Sequence, residues 1–381
     1  MKHQTHILLV SAQPTPNITP LLDLELRPEK AEVILVVSPD MNERADCLEE
    51  VLKPRGLRVH QWAVENAFDL EALQEFFLNR LSELEDRDLA LNVTGGTKPM
   101  AIAAYQAFIA ADKPIYYVHP ELDRLIWLHP SGRATRDLEN RIRLEAFFQA
   151  HGAESLSKSE AFGIREEFAE LMQAIVLRVE KYQEALKLLN GLARSADNPE
   201  LCSDPLSNQA SAREDFASLL HYFEEQNLVK YARQRLVFPS EEARFFANGG
   251  WFEQYVYAVV HGLRNQVPSI QDIGRGVQLK RRRGAAGAAN ELDIAFLADN
   301  RLYVIECKTA QFNESERGDN ALYKLKTLSA QFGGLQAKGM LVSFQELPNA
   351  VKQRAATDRI EICAGTQIKT LEDRLIQWIR L

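Results

Sequence analysis

Three carboxylates and a lysine are spaced so that folding would bring them together. They lie in Asn290-Glu-Leu-Asp-Ile-Ala-Phe-Leu-Ala-Asp-Asn-Arg-Leu-Tyr-Val-Ile-Glu-Cys-Lys-Thr309. Two apolar runs rich in β-branched and aromatic residues flank Asp299-Asn300, and a two-residue Asp-Asn loop suits a β-hairpin. With that loop, Ala298 faces Arg301. Counting back, Asp293 faces Glu306 and Glu291 faces Lys308. Strand side chains alternate, so Glu291, Asp293, Glu306 and Lys308 share one face at one end. Toward the turn that face becomes apolar, with Ala295, Leu297, Leu302 and Val304. The other face carries Leu292, Ile294, Phe296, Tyr303, Ile305 and Cys307. Strands apolar on both faces belong in the middle of a covered sheet. A solvated ribbon with cross-strand ion pairs, worth little to stability, would not be so apolar. Carboxylates at the end of buried strands are costly unless compensated, and a divalent cation would compensate them.

The elements that must position this hairpin follow from the surrounding sequence. Gly249-Gly-Trp-Phe-Glu-Gln-Tyr-Val-Tyr-Ala-Val-Val260 predicts a helix opening after a glycine break. Trp251, Phe252, Tyr255, Val256 and Val259 would pack it on the sheet, and Glu253 shares their turn. Gln278-Leu-Lys-Arg-Arg-Arg283 is a basic run directly before the acidic strand of an acidic chain, which favours phosphate contact; a Gly/Ala stretch, 284–289, reads as a loose connection. Residues 312–318 read as a loop and 320–332 as a helix bearing Lys324 and Lys326. Residues 339–344 and 360–363 read as buried strands, and 370–381 as a closing helix. The spacing Asp293, then Glu306-Cys-Lys308, resembles the PD-(D/E)xK nuclease signature. That resemblance implies a restriction-endonuclease-like α/β domain. In it Asp293 and Glu306 would hold Mg2+ or Mn2+, Lys308 would position or polarise the attacking water, and the scissile phosphate would complete the metal sphere. It also implies that Glu253 serves the metal site from the preceding helix. Glu291 is a further catalytic candidate by its place on the hairpin face.

The first third alternates strands (6–10, 32–37, 57–62, 88–93, 114–118, 124–128) with helices (41–55, 69–84, and one running to about 111). This order implies a mostly parallel, Rossmann-like sheet, whose ligands sit beyond the carboxyl ends of the strands. Ser11, Ala12, Gln13, Thr15 and Asn17 follow the first strand, and Ser38 and Asp40 the second. Thr94, Gly95, Gly96, Thr97, Lys98 and Met100 follow the fourth. Thr97 can cap a helix whose N-terminus favours anions, and Lys98 adds a positive charge. The turn is neither Gly-x-Gly-x-x-Gly nor a Walker loop, because Pro99 replaces the magnesium-binding hydroxyl. Asn92-Val-Thr-Gly-Gly-Thr-Lys-Pro-Met100 resembles the Thr-Gly-Gly-Thr-Lys segment of CARF domains, the sensors of cyclic oligoadenylate in type III CRISPR defence. Joined to the nuclease-like last third, it makes the chain similar to CRISPR ancillary nucleases activated by cyclic tetra-adenylate. The resemblance implies a homodimer through the CARF domain with the cyclic ligand across its twofold axis, and DNA and/or RNA as substrate.

Between the two ends, 136–149 and 161–192 read as helices, 195–208 as a linker and 211–226 as an amphipathic helix. Residues 228–238 read as a short ribbon bearing Lys230, Arg233 and Arg235. This is a connector, with a winged-helix-like element as the bolder reading. The expected division is a sensor over 1–145, a connector over 146–240 and a nuclease over 241–381. The 381 residues carry a net charge of −8, which argues against a broad nonspecific nucleic-acid coat and makes any such contact local. Cys47, Cys202, Cys307 and Cys363 show no Cys-x-x-Cys spacing and fit a reducing cytoplasm. No run reaches membrane-spanning length. The sequence thus predicts a cytoplasmic, ligand-gated, metal-dependent nuclease. Its rival is a nucleotide-responsive DNA-binding transcriptional regulator with the last third as scaffold, and that reading leaves the acidic hairpin face unexplained.

Overall fold

A computed structural model of the chain describes residues 3–380 except 24, 140–141, 157–165, 283–288 and 311–315. The first third builds a sheet from β1 (Thr5–Leu9), β2 (Glu32–Val37), β3 (Arg58–Ala63), β4 (Leu89–Asn92), β5 (Ile115–His119), β6 (Arg124–His129) and β7 (Arg136–Asp137). Their order is β3-β2-β1-β4-β5-β6-β7. The first five are parallel, and β6 runs antiparallel to its neighbours β5 and β7. Central strands apolar on both faces require cover on both sides. Helices Leu70–Ser82 and Lys98–Ala110 cover one face, and helices Thr15–Leu22, Asn42–Leu52 and Leu144–Ala150 the other. Asp69 and Thr97 cap the first two by accepting from the amides of Ala72 and Met100. The strand order reverses between β1 and β4, the crevice where such sheets bind ligands. The Rossmann-like expectation holds. The helix expected over 136–149 begins only at Leu144. Arg136 instead pairs along β6 and reaches Asp23 at 2.9 Å and Glu25 at 2.6 Å, so sheet pairing overrides helical spacing there.

A second sheet holds β8 (Ala153–Ser155), β11 (Ile270–Arg281), β12 (Asn290–Ala298), β13 (Arg301–Lys308), β14 (Lys338–Ser343) and β15 (Glu361–Ala364), ordered β15-β14-β13-β12-β11-β8. A separate ribbon pairs β9 (Lys230–Ala232) with β10 (Arg235–Val237), as the sequence implied. The hairpin β12–β13 has the predicted register, Ala298 with Arg301 through Ile294 with Ile305. Asp299 and Asn300 both take positive φ, 46° and 54°, the primed turn that matches strand twist and that Asp and Asn tolerate.

Strand β11 escaped the sequence reading, which saw only its basic end. Gly274, Gly276 and several polar residues hide its alternation, yet it pairs along β12. The basic run differs from expectation in a second way, because Arg282 ion-pairs with Glu50 of the first third. Arg283 and most of the Gly/Ala stretch lie outside the described residues. So do the start of the 161–192 helix, which from Ala169 is two helices (Ala169–Leu177 and Val179–Ser195), and most of the expected 312–318 loop. A helix is already present from Glu316 and runs to Gly333.

Two buried clusters sandwich the second sheet. One gathers the middle helices, helix Trp251–Leu263 and the sheet face of Ile294, Phe296, Tyr303, Ile305 and Cys307. The other joins Ala295, Leu297, Leu302 and Val304 to helices of the first third, including Leu48 and Phe147. Leu292 belongs to this second cluster rather than the first, beside left-handed Gly276 (φ 57°), which turns β11 at that point. Phe296 stacks on Tyr303 at 4.9 Å, and Trp378 closes on Tyr303 edge-on at 4.9 Å. Phe296→Ala should destabilise the fold by about 3–5 kcal/mol. Urea unfolding followed by tryptophan fluorescence checks this, and an unchanged midpoint would show that this face is not core.

Candidate functional site

The acidic end of the hairpin is buried. Asp293 and Glu306 are 7% and 3% exposed, whereas Glu291 is exposed at the rim. Asp293 Oδ2 accepts from the backbone N–H of Cys307 at 2.8 Å, which ties the two strands just beyond the Ile294–Ile305 pair. Lys308 Nζ donates to Glu306 Oε1 at 2.6 Å and lies 4.0 Å from Asp293 Oδ2. Lys324, from helix Glu316–Gly333, donates to both Glu306 oxygens at 3.1 Å. Helix Trp251–Leu263 brings Glu253 to the same place. Its approach depends on Gly249, at φ 118°, where an added Cβ would lie 2.8 Å from Thr309 Oγ1. Thr309 follows Lys308 and accepts from Asn190 Nδ2 at 3.0 Å. Burial, then the charges of Asp293 and Glu291, push Glu253 up to about 8. Burial, then Glu306, push Asp293 up to about 6. Burial opposes the charge on Lys308, but Asp293 and Glu306 outweigh it and hold its pKa above the usual lysine value.

At the other end of the molecule's first sheet, the loops after β1 and β4 are stitched together. Asn17 Nδ2 donates to Leu9 O at 2.9 Å, and Asn92 Nδ2 donates to Pro16 O at 2.8 Å. Thr94 Oγ1 donates to Asn92 Oδ1 at 2.6 Å and accepts from Val118 N–H at 2.7 Å. A Cβ on Gly95 would overlap the Leu9 carbonyl, so this glycine is required by the loop's own packing. Asn17, Ser38 and Met100 are buried, and Met100 packs in the apolar core behind the turn. Thr97 is occupied as the cap and donates to Ala67 O. Ala12, Asp40 and Lys98 are exposed. Ser11, Gln13, Thr15, Thr94 and Gly95 line one cavity of about 160 Å3. The structure thus gathers part of the predicted loop set and turns the rest inward or outward.

Residues 5–147 match the family described as the Card1 CARF domain, and residues 240–381 the family described as the Card1-like endonuclease domain. The chain joins a CARF domain to a Card1-like endonuclease domain. Two solved structures share this whole architecture. Protein VC1899 from Vibrio cholerae is 27% identical with a TM-score of 0.90, covering 99% of this chain and 98% of that one. Can2 from Sulfobacillus thermosulfidooxidans, solved in complex with cyclic tetra-adenylate, is 27% identical with a TM-score of 0.82, covering 99% of each. A type III CRISPR defence DNA nuclease activated by cyclic oligoadenylate is 18% identical with a TM-score of 0.58, over 90% of this chain and 45% of that one, and shares the fold. No curated protein matches the chain. The endonuclease match removes the rival in which the last third is a scaffold.

In the endonuclease domain, sequence reasoning brought together Glu253, Asp293, Glu306 and Lys308, but gave no role to Lys324. A helical lysine carries no local signal of its partner, and only helix docking shows it. Buried Gln254 and its neighbour Arg275, with 3.4 Å between Oε1 and a guanidinium nitrogen, were also missed because β11 was. Among the described residues no three His, Cys, Asp or Glu side chains are grouped closely enough to cage an ion. The donor chemistry nonetheless fits a hard cation. Glu253 and Asp293 offer carboxylate oxygens whose pKa values are raised by burial and then by neighbouring acids, and Mg2+ or Mn2+ would accept them with water completing the sphere. Glu306 would join such a set by releasing a lysine. Between about pH 4 and 8 these two carboxyls therefore hold more protons in the folded state than in the unfolded chain, where they titrate near 4. Their contribution to metal-free stability should fall as pH rises through that window. Glu253→Gln should flatten the decline. Melting temperatures in chelator at pH 5 and pH 8 test it, and identical slopes for both proteins would refute the assignment.

Proposed function

We propose that this chain is a divalent-metal-dependent nuclease of the PD-(D/E)xK type, switched on by cyclic tetra-adenylate in type III CRISPR antiviral defence. It hydrolyses phosphodiester bonds of DNA and/or RNA. The observation that carries this reading is the meeting of buried Asp293 and Glu306 and half-buried Lys308, on a hairpin of the endonuclease domain, with half-buried Glu253 from helix Trp251–Leu263. Bound there, Mg2+ or Mn2+ would polarise the scissile phosphate and activate water. Asp293, Glu253 and Glu306 would hold the ion, with Glu291 at the rim. Lys308 stays protonated among these acids, so it acts as a hydrogen-bond donor that positions water or phosphate and not as a base. Lys324 orients Glu306 from the opposite side.

The activator would bind beyond β1 and β4. Ser11, Gln13, Thr15, Thr94 and Gly95 border the cavity there. Lys98 and the N-terminus of its helix favour a phosphate nearby. Can2, of the same architecture, was solved with cyclic tetra-adenylate. A homodimer through the CARF domain suits a cyclic ligand. Ile102, Tyr105 and Ile109 support it, because their spacing sets them on one exposed apolar face of the helix that starts at Lys98. The chain works in the cytoplasm, where its cysteines stay free thiols. Among the described residues no helix is long and apolar enough to cross a membrane.

Asp293→Ala, Glu306→Ala and Lys308→Ala should each lower metal-dependent cleavage of plasmid or RNA on the order of a hundredfold or more, with affinity for cyclic tetra-adenylate retained. Wild-type turnover by all three, with Mn2+ present, would remove the active-site assignment. Lys98→Ala should raise the half-maximal activator concentration roughly ten- to hundredfold, the loss expected for one charge-assisted hydrogen bond. A titration of nicking rate against cyclic tetra-adenylate decides this, and an unchanged midpoint counts against Lys98. Light scattering should give twice the 43.2 kDa chain mass. A monomer with and without ligand rejects the dimer.

A further inference from the structure

The cavity beside the sensor loops has a second wall that comes from the endonuclease domain. Asn300 and Arg301, the tip of the catalytic hairpin, face Ser11, Gln13, Thr94 and Gly95 across it. We propose that Arg301 is a phosphate-binding residue of the activator site, so that both domains of one protomer grip the cyclic oligonucleotide. The proposal rests on the activator reading above and adds a contact outside the CARF domain.

Arg301 is half-buried, and its Nε is buried without a hydrogen-bond partner among the described residues. Asp123, an acid that feels the charge of Arg301, is engaged by Asn300, whose Nδ2 donates to its Oδ2 at 2.6 Å. Burial pushes Asp123 up to about 7, which weakens it further as a counter-charge. On the other side stands Lys338, whose pKa is lowered by burial and then by the charge of Arg301. A half-buried guanidinium with an unpartnered Nε calls for an anion. Its planar fork matches two oxygens of a phosphodiester. The cavity, about 160 Å3, admits a phosphate and its neighbouring groups but not a whole cyclic tetranucleotide. Exposed Lys98 lies outside this cavity's lining, so the two cations would serve different parts of the ligand.

The hairpin tip is tied to the sensor by the Asn300–Asp123 bond and to β11 by Gln271. Asn300 Oδ1 accepts from Gln271 Nε2 at 2.8 Å, and its backbone N–H donates to Gln271 Oε1 at 3.0 Å. Gln13 of the sensor loop packs onto Gly334, where any Cβ would overlap it. From Arg301 to Glu306 is five residues of buried strand, about 17 Å. A ligand held by Arg301 therefore touches the strand that carries Glu306 and Lys308. Contact of this kind supplies the state-dependent affinity that activation requires.

The test uses full-length protein, cyclic tetra-adenylate and calorimetry at two salt concentrations. Arg301→Gln should weaken binding about tenfold or more and reduce the salt dependence of log Kd by roughly one phosphate's share, a slope change of about 0.7–0.9. Arg301→Lys, which keeps the charge but loses the fork, should bind at an intermediate strength with the wild-type salt slope. Wild-type affinity in Arg301→Gln overturns the proposal. So does an equal loss in both variants, which would point to shape instead of charge. If Arg301→Gln fails to fold, Arg301→Lys decides, because wild-type affinity there excludes the bidentate contact. Absence of any binding by the wild type would instead overturn the activator reading itself.

Discussion

The structure depends on one hairpin being dry on both faces and charged at both ends. Apolar cover from two separate cores makes β12 and β13 rigid and leaves no water to screen their termini. At one end that dryness raises the carboxylates of Asp293 and Glu253 toward neutrality, and a cation there would offset their repulsion. At the other it leaves Arg301 with an unpartnered Nε beside the sensor loops. The same burial that stabilises the fold creates the electrostatic demands that ligands answer.

Much of this was legible in the chain because it is local. The Asp299-Asn300 turn and the two-residue alternation announced the register of the hairpin, and the structure reproduces it from Ala298–Arg301 to Ile294–Ile305. Parallel strands alternating with helices announced the first sheet, and Thr97 announced its cap. What stayed hidden is long-range. Strand β11 is broken up by Gly274 and Gly276 and becomes a strand only by pairing with β12. Lys324 acquires meaning from the docking of its helix, and Arg282 from Glu50, more than two hundred residues earlier. In the sensor loops, chemistry-bearing residue types were read as facing a ligand, whereas Asn17 and Met100 face inward. Polarity told where the loops were and not which way each side chain points.

The helical middle of the chain also takes on a role that its sequence did not declare. Its apolar residues, from Phe168 to Phe238, belong to the same buried cluster as Trp251, Phe252 and the hairpin face. The endonuclease domain is therefore supported on one side by the connector and on the other by helices of the CARF domain. Packed interiors of this kind transmit displacement rather than absorb it.

Gly249 shows what that rigidity implies for the history of such a chain. It lies against Thr309, and Thr309 against Asn190, so three distant segments meet within a methyl's breadth of the residue after Lys308. At Gly249 even a single added carbon has nowhere to go, and its left-handed backbone already disfavours any other residue. Variation at this point is limited by volume before chemistry is ever tested, so the spacing at the acidic end depends on a residue that carries no side chain.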